Sequence, residues 1–235
     1  FLAYRGIVIE FNLIQNIKPI LFFFLSIKYL KNRKFLPYLF LNLLGVLFHV
    51  SALIYIPLYF VLNRKLSLLQ CVIIIITANI LLLVSSSIFI DLIYLFINMQ
   101  FVELTQYLYF FIDTSPYKIG LGHIERTLVI LIIVFYQNKI HKKLLHGNIL
   151  KNLAILYYVS FLVLSPIDVL SDRIPILFLI SMWVIVPFLI LNRDKYRQLL
   201  VPFLIAVCFM KIFLSTQDKV STYDNLIFGI ESYEK

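Results

Sequence analysis

Apolar residues run along this chain in long uncharged stretches, cut by short clusters of charge. The stretches are approximately 17–30 (broken by Lys18 and Lys28), 35–63, 66–90, 127–138, 152–167, 174–192 and 198–210. A charge at the centre of a bilayer costs about 2.5–3.5 kcal/mol on insertion scales, so runs of this kind read as membrane segments. A helical span needs ~20 apolar residues. Helices are the expected form because every backbone polar group must be satisfied inside the bilayer. The pattern therefore predicts an all-α fold, a polytopic transmembrane helical bundle, as a single integral membrane domain over 1–235.

The stretch 35–63 has basic flanks at both ends, Arg33 and Lys34 before it and Arg64 and Lys65 after it. Lys and Arg concentrate on the cytoplasmic side of membrane proteins. A single crossing would put one of those clusters outside, together with the basic segment 139–151. A helical hairpin turning near Gly45 to Ser51 keeps every later cluster on the inner side. Each arm would hold about 13 residues and reach only ~20 Å, short of the ~30 Å hydrocarbon core. One long tilted helix is the alternative. The layout predicted with the hairpin has 1–16 outside or interfacial and an inward span to Lys31. The hairpin comes next, then an outward span at 66–88. A larger outer loop follows at about 91–122, with an interfacial helix near 92–112. Spans near 121–138, 152–170, 174–192 and 198–214 follow, then a polar outer tail at about 215–235. The chain starts at Phe1 with no signal-peptide pattern, and further spans are expected ahead of it.

Composition agrees with this picture. Only 14% of residues are charged, against about 25% in soluble domains. The net charge of +9 suggests nucleic acid, but its distribution argues against such a partner. Thirteen of the 21 basic residues fall within 28–34, 64–65, 139–151 and 193–197, with one acid, Asp194, among them. Such segregation sets topology, and anionic membrane lipid is the natural partner of the basic face. Cys71 and Cys208 lie inside apolar runs and read as packing residues.

Candidate chemistry lies in the polar residues that remain. His49 is the sole ionisable side chain between Lys34 and Arg64 other than tyrosines. An imidazole in an apolar segment is a functional candidate by default; a hydrogen bond that merely joins helices is the plainer reading. The run "LFFFLSIKYLKNRKFLPYLFLNLLGVLFHVSALIYIPLYFVLNRK" carries a pattern with Phe48, His49, Ser51 and Ala52 at its middle. In this it resembles the EpsG family of bacterial polysaccharide-polymerising membrane proteins and the O-antigen polymerases of the Wzy type. With the hydropathy pattern, the resemblance covers most of the chain, as the later two-thirds of such a protein. Where the family has Ile-Arg-Gln before the preceding span, this chain has Asn16-Ile17-Lys18-Pro19. Lys18 keeps the charge but loses the bidentate fork of Arg. It is either a phosphate-gripping point charge or an ordinary helix-end lysine.

The resemblance implies that the Arg after a later outer turn belongs to the active cavity, here Arg173 in "SDRIP". A guanidinium suits a diphosphate; pairing with Asp172 or Asp168 is the plainer role. Those two carboxylates at i,i+4 make a weak metal pair without a third ligand, and neither metal nor cofactor is expected. In "GLGHIERTL", His123, Glu125 and Arg126 cluster at the mouth of a predicted span, and His123 and Arg126 share a helix face. A snorkelling helix end is the alternative. Phe101, Tyr107, Tyr109, Phe110, Phe111 and Tyr117 could stack on sugar rings or form an interfacial belt.

The chain has no P-loop, dinucleotide-binding glycine motif or His-Glu-x-x-His. It also lacks a nucleophile elbow and an Asp-x-Asp pair. The resemblance implies polymerisation of undecaprenyl-diphosphate-linked oligosaccharide units into O-antigen, capsule or exopolysaccharide, at the outer face of the bacterial cytoplasmic (inner) membrane. His49, Arg173 and His123 are the expected catalytic residues, with an imidazole as base toward the acceptor hydroxyl. Lys18, Arg126, Ser51, Asp172, Glu125 and Tyr109 are expected to bind substrate. The expected partners are the lipid-linked oligosaccharide, membrane lipid, a flippase and a chain-length regulator. A flippase of the same lipid, or another intramembrane transferase such as an O-acyltransferase or ligase, would need similar residues.

Overall fold

The computed structural model describes residues 14–98, 120–165, 173–191 and 197–216. In chain order, α1 is Ile14–Lys31, α2 Phe35–Val46 and α3 Tyr55–Val61, with a 3₁₀ turn, Val50–Ile54, ahead of α3. Then come α4 Leu68–Asn98, α5 Leu121–Phe135, α6 Gln137–Lys143, α7 Gly147–Val163, α8 Ile180–Leu191 and α9 Arg197–Thr216. The described residues are helical, with no strand among them.

The segment 35–63 doubles back. The Arg33 backbone lies in the left-handed region at φ 55°. The Lys34 amide donates to Tyr29 O at 2.9 Å and the Arg33 amide to Leu30 O at 3.2 Å. That pair of bonds closes the last turn of α1 and reverses the chain. α2 then runs back along α1 and stops at Leu47–His49, after which the 3₁₀ turn leads into α3. Asn63 Nδ2 donates to Leu30 O at 3.3 Å and Lys31 O at 3.4 Å, so the end of α3 returns to where α2 began. Gly45 makes the fold-back possible. A Cβ there would lie 3.3 Å from Ala52 Cβ and 3.4 Å from the Pro19 Cα. The pair is locked by Tyr38, whose hydroxyl donates to Tyr55 O, and by Phe23 stacked on Tyr55 at 4.1 Å.

This geometry gathers the basic clusters. Asn152 Nδ2 donates to Leu62 O and Arg64 O, both at 2.8 Å, and Asn148 Nδ2 donates to Arg64 O at 2.9 Å. The segments 28–34, 64–65 and 139–151 therefore meet at one end of the bundle. The hairpin predicted from its flanking charges is thus the observed chain path, and the single tilted helix is not.

Several boundaries differ from expectation. α4 continues through residue 98, so 91–98 extends the preceding helix and does not begin a separate outer segment. The cause is that 66–98 contains neither Pro nor Gly to end it. The basic segment 139–151 is not a loop: α6 occupies 137–143, and α7 begins at Gly147. A Cβ at Gly147 would fall 2.0 Å from Ile140 O, so only glycine lets α7 start against the α6 backbone. The predicted 174–192 span is broken into a helical turn at 173–176, a turn at 177–179 and α8. Residues 99–119, with most of the expected outer loop, and the tail beyond Thr216 lie outside the described residues, as do Tyr109, Asp168 and Asp172.

Among the described residues, no helix is long and apolar enough to cross a membrane. The hairpin arms have 12 and 7 residues, about 18 Å and 10 Å of helix. α1 has 18 residues but carries Lys18, Lys28 and Lys31. The predicted separate spans are therefore not met as such. What the helices do have is apolar surface on both sides. On α4, Cys71, Ile75, Ala78 and Leu82 face the core, while Leu69, Ile73, Ile76, Ile80 and Leu83 face outward. On α5, Ile130, Ile133 and Val134 are buried, while Ile124, Leu128, Leu131 and Phe135 are exposed.

Candidate functional site

Polar side chains collect at the end of the bundle opposite the basic clusters, in two groups. The first is the hairpin tip. His49 caps the 3₁₀ turn, with extended backbone and its ring taking the Ser51 amide at 3.1 Å. Ser51 Oγ also lies 2.7 Å from Nδ1. A backbone N–H can only donate, so Nδ1 is the acceptor and the Ser51 hydroxyl donates to it too. In the neutral imidazole the proton then sits on Nε2. His49 is thus held as an N–H donor, half-buried, with its basic nitrogen already occupied. Beside it, Lys18 Nζ stands 5.0 Å from the centre of the Phe48 ring, and Phe22 stacks on Phe48 at 5.6 Å. Lys18, His49 and Ser51, predicted separately, therefore share one tip.

The second group is built on α5. Gly120 precedes the first turn of that helix in extended conformation. Arg126 folds back over Gly122: Nη1 donates to Gly122 O at 3.1 Å, and a Cβ on Gly122 would meet Nη1 at 2.9 Å. The same guanidinium lies 3.9 Å from the centre of the Phe161 ring, and Nε donates to Tyr157 Oη at 3.5 Å. Arg126 is therefore set in place by α7 as well as by its own helix. Glu125 is 5% exposed. Its Oε2 pairs with Lys211 Nζ of α9 at 2.8 Å, while its Oε1 is buried with no hydrogen-bond donor among the described residues. His123 is buried on the adjacent turn. A polar chain supports the group from below. Asn79 Nδ2 donates to Tyr158 Oη at 2.8 Å, Tyr158 Oη meets Thr127 Oγ1 at 2.8 Å, and Thr127 Oγ1 donates to His123 O at 2.9 Å.

Arg173 is exposed at the start of the 173–176 turn. Tyr55 Oη donates to Leu177 O at 2.8 Å, which ties the returning arm of the hairpin to the segment that Arg173 opens. The structure thus joins His123, Glu125 and Arg126 into one built cluster, and Lys18, His49 and Ser51 into another. Lys211, Tyr157, Tyr158 and Asn79 were not anticipated. Lys211 had a readable signal, as the one charge between Arg197 and Asp218 in an apolar run. The tyrosines had none, because buried and interfacial tyrosines look alike in sequence.

The sequence model of the EpsG family matches residues 1–227. The chain belongs to the EpsG family. Members of the EpsG family are membrane proteins and Wzy-like polysaccharide polymerases, so a general role in polysaccharide polymerisation comes with membership. No curated protein and no solved structure matches the chain. The EpsG assignment agrees with the resemblance seen at Phe48, His49, Ser51 and Ala52.

Proposed function

We propose that this EpsG protein polymerises undecaprenyl-diphosphate-linked oligosaccharide units at the outer face of the bacterial cytoplasmic membrane. The end carrying Glu125, Arg126 and Lys211 faces outward. Membrane embedding is supported by the outward apolar stripes of α4 and α5, since large contiguous exposed apolar surfaces mark contact with lipid or partners. Orientation is supported by the convergence of three basic clusters at the opposite end.

The observation that carries the reaction is the buried carboxylate oxygen Glu125 Oε1, which has no donor among the described residues. A buried acceptor without a donor is costly, and an acceptor sugar hydroxyl supplies one. In the proposed step that hydroxyl oxygen attacks the anomeric carbon of the donor unit. The bond from that carbon to the diphosphate breaks, and the hydroxyl proton passes to Glu125. Lys211 holds the carboxylate in position through Oε2. Charge developing on the leaving diphosphate is met by Arg126, with Lys18 and Arg173 as further cations and the Nε2–H of His49 as a donor. The base is thereby Glu125 and not His49, whose Nδ1 is already engaged by Ser51, and His123 remains a proposed catalytic residue beside it. Asp172 and Tyr109 remain proposed substrate contacts, and a flippase and a chain-length regulator remain the proposed partners.

The test is glycan length in cells carrying Glu125→Gln. Single repeat units at the surface, with the variant protein inserted at normal level, are the expected result. Long chains of normal distribution would contradict the proposal. Absence of any exported unit would point to a flippase instead.

A further inference from the structure

A cavity of about 350 Å³ opens at the basic end, between the 64–68 loop, α6 and the start of α7. Its volume lies within the range of about 300–1,000 Å³ usual for small-molecule pockets. Lys65, Ser67, Asn138, His141, Asn148 and Lys151 line it. Lys151 is 3% exposed. Its ammonium contacts Leu66 O at 3.1 Å, Gln137 Oε1 at 3.3 Å and Cys71 Sγ at 3.7 Å. None of the three is a carboxylate, so this buried ammonium, at the cavity wall, has no acidic partner among the described residues. The cause is written in the sequence: 11–90 and 127–167 contain no Asp or Glu. The elements that build the pocket cannot neutralise it.

We infer that this pocket binds the phosphate of an anionic lipid headgroup. An anionic ligand would supply the counter-charge that 11–90 and 127–167 lack, and a buried charge is tolerated when it is paired. The lining offers the Lys65 ammonium and the His141 imidazole with hydroxyl and amide donors between them, the donor set that suits phosphate oxygens. They add to the charge of Lys151, whose own three N–H groups are taken by Leu66, Gln137 and Cys71. Basic pockets between helices at the cytoplasmic end are where such headgroups bind. Lipid is favoured over free phosphate by the rim. Leu68 lines the pocket and is 52% exposed, and the outward stripe Leu69, Ile73, Ile76 and Ile80 continues from it along α4. A headgroup held by Lys65 and His141, above the Lys151 charge, would lay its acyl chains on that stripe. The inference shares the orientation proposed above but not the polymerase chemistry, because it concerns the other end and its readout is binding.

The experiment uses the whole protein in neutral detergent, with thermal unfolding followed as phosphatidylglycerol, phosphatidylcholine or inorganic phosphate is added. The pocket variant is Lys65→Gln/His141→Gln; Lys34→Gln/Lys142→Gln is the control, altering the same basic end away from the pocket. Phosphatidylglycerol is expected to raise the midpoint of the wild type and the control alike, while phosphatidylcholine does not. In the pocket variant, reaching half that shift is expected to need at least about threefold more phosphatidylglycerol. Equal losses in the pocket variant and the control would overturn the site in favour of general surface charge. Stabilisation by inorganic phosphate of the same size, lost in the pocket variant, would uphold an anion site and overturn its lipid occupant.

Discussion

Lys151 is buried and Lys211 half-buried, and the bundle treats the two lysines in opposite ways. Lys211 meets a carboxylate at 2.8 Å. Lys151 meets a carbonyl, a side-chain amide and a thiol. Their surroundings differ because 11–90 and 127–167, which supply the groups around Lys151, contain no acid, while Glu125 stands beside Lys211. One end is therefore left with a carboxylate oxygen that has no donor among the described residues. The other is left with an ammonium that has no acidic partner among the described residues. The same residue type thus marks different chemistry according to what the neighbouring sequence can supply.

The comparison breaks most visibly on removing each lysine. Lys211→Met strands the Glu125 carboxylate in a buried place, and loss of one partner of a buried pair costs about 3–5 kcal/mol. Lys151→Met removes a cation that has no paired acid, and in lipid-free detergent it should cost about 1–2 kcal/mol through its lost hydrogen bonds. Unfolding midpoints of the two variants are expected in that order, and equal losses would dissolve the distinction. Glu125→Gln/Lys211→Met should recover most of the first loss.

Gly147→Ala comes next. The new Cβ would meet the Ile140 carbonyl oxygen at 2.0 Å. Backbone cannot swing aside as a side chain can, and a penalty of about 2–3 kcal/mol is expected from overpacking. Because α7 carries both Lys151 and the Tyr157–Phe161 support of Arg126, both ends should suffer together. Lipid stabilisation and glycan length should therefore fall in parallel. Loss at one end alone would contradict the shared role of α7.

The smallest effect concerns His146, in the turn before α7 with φ at 61°. Burial, with the nearby Lys31 ammonium adding to it, holds its pKa below the ordinary imidazole value. The unfolded chain then binds more protons than the folded one as pH falls past about 6.5, so stability drops in that direction. His146→Asn tolerates the left-handed backbone and removes the titration. The wild type should lose midpoint temperature between pH 7 and pH 5, and the Asn variant should lose less. Identical slopes would show that this imidazole does not contribute.

Much of the fold could be read from charge placement. Basic flanks on both sides of 35–63 dictated a return path, and Asn63 against Leu30 shows that path. The length of α4 was there to be read, since nothing in 66–98 ends a helix, but the expected span stopped at 88, ahead of Asp91. Two features were hidden because they depend on tertiary contact. Lys151 looked like a loop cation until Gly147 brought α7 against α6 and drew the ammonium inside. The engagement of His49 Nδ1 by the Ser51 amide, which decides how its ring is presented, is equally a matter of three-dimensional contact. Lys211 was legible but was taken as the end of an apolar stretch.

Sidedness tests the account most directly. With Cys71 and Cys208 replaced by Ser, single cysteines at Lys18, Lys34, Lys65 and Lys142 can be probed in intact cells with a membrane-impermeant maleimide. The account predicts labelling at position 18 without lysis, and at 34, 65 and 142 only after the membrane is opened. Labelling of position 65 from outside while 34 stays protected, or of all four from one side, would contradict it.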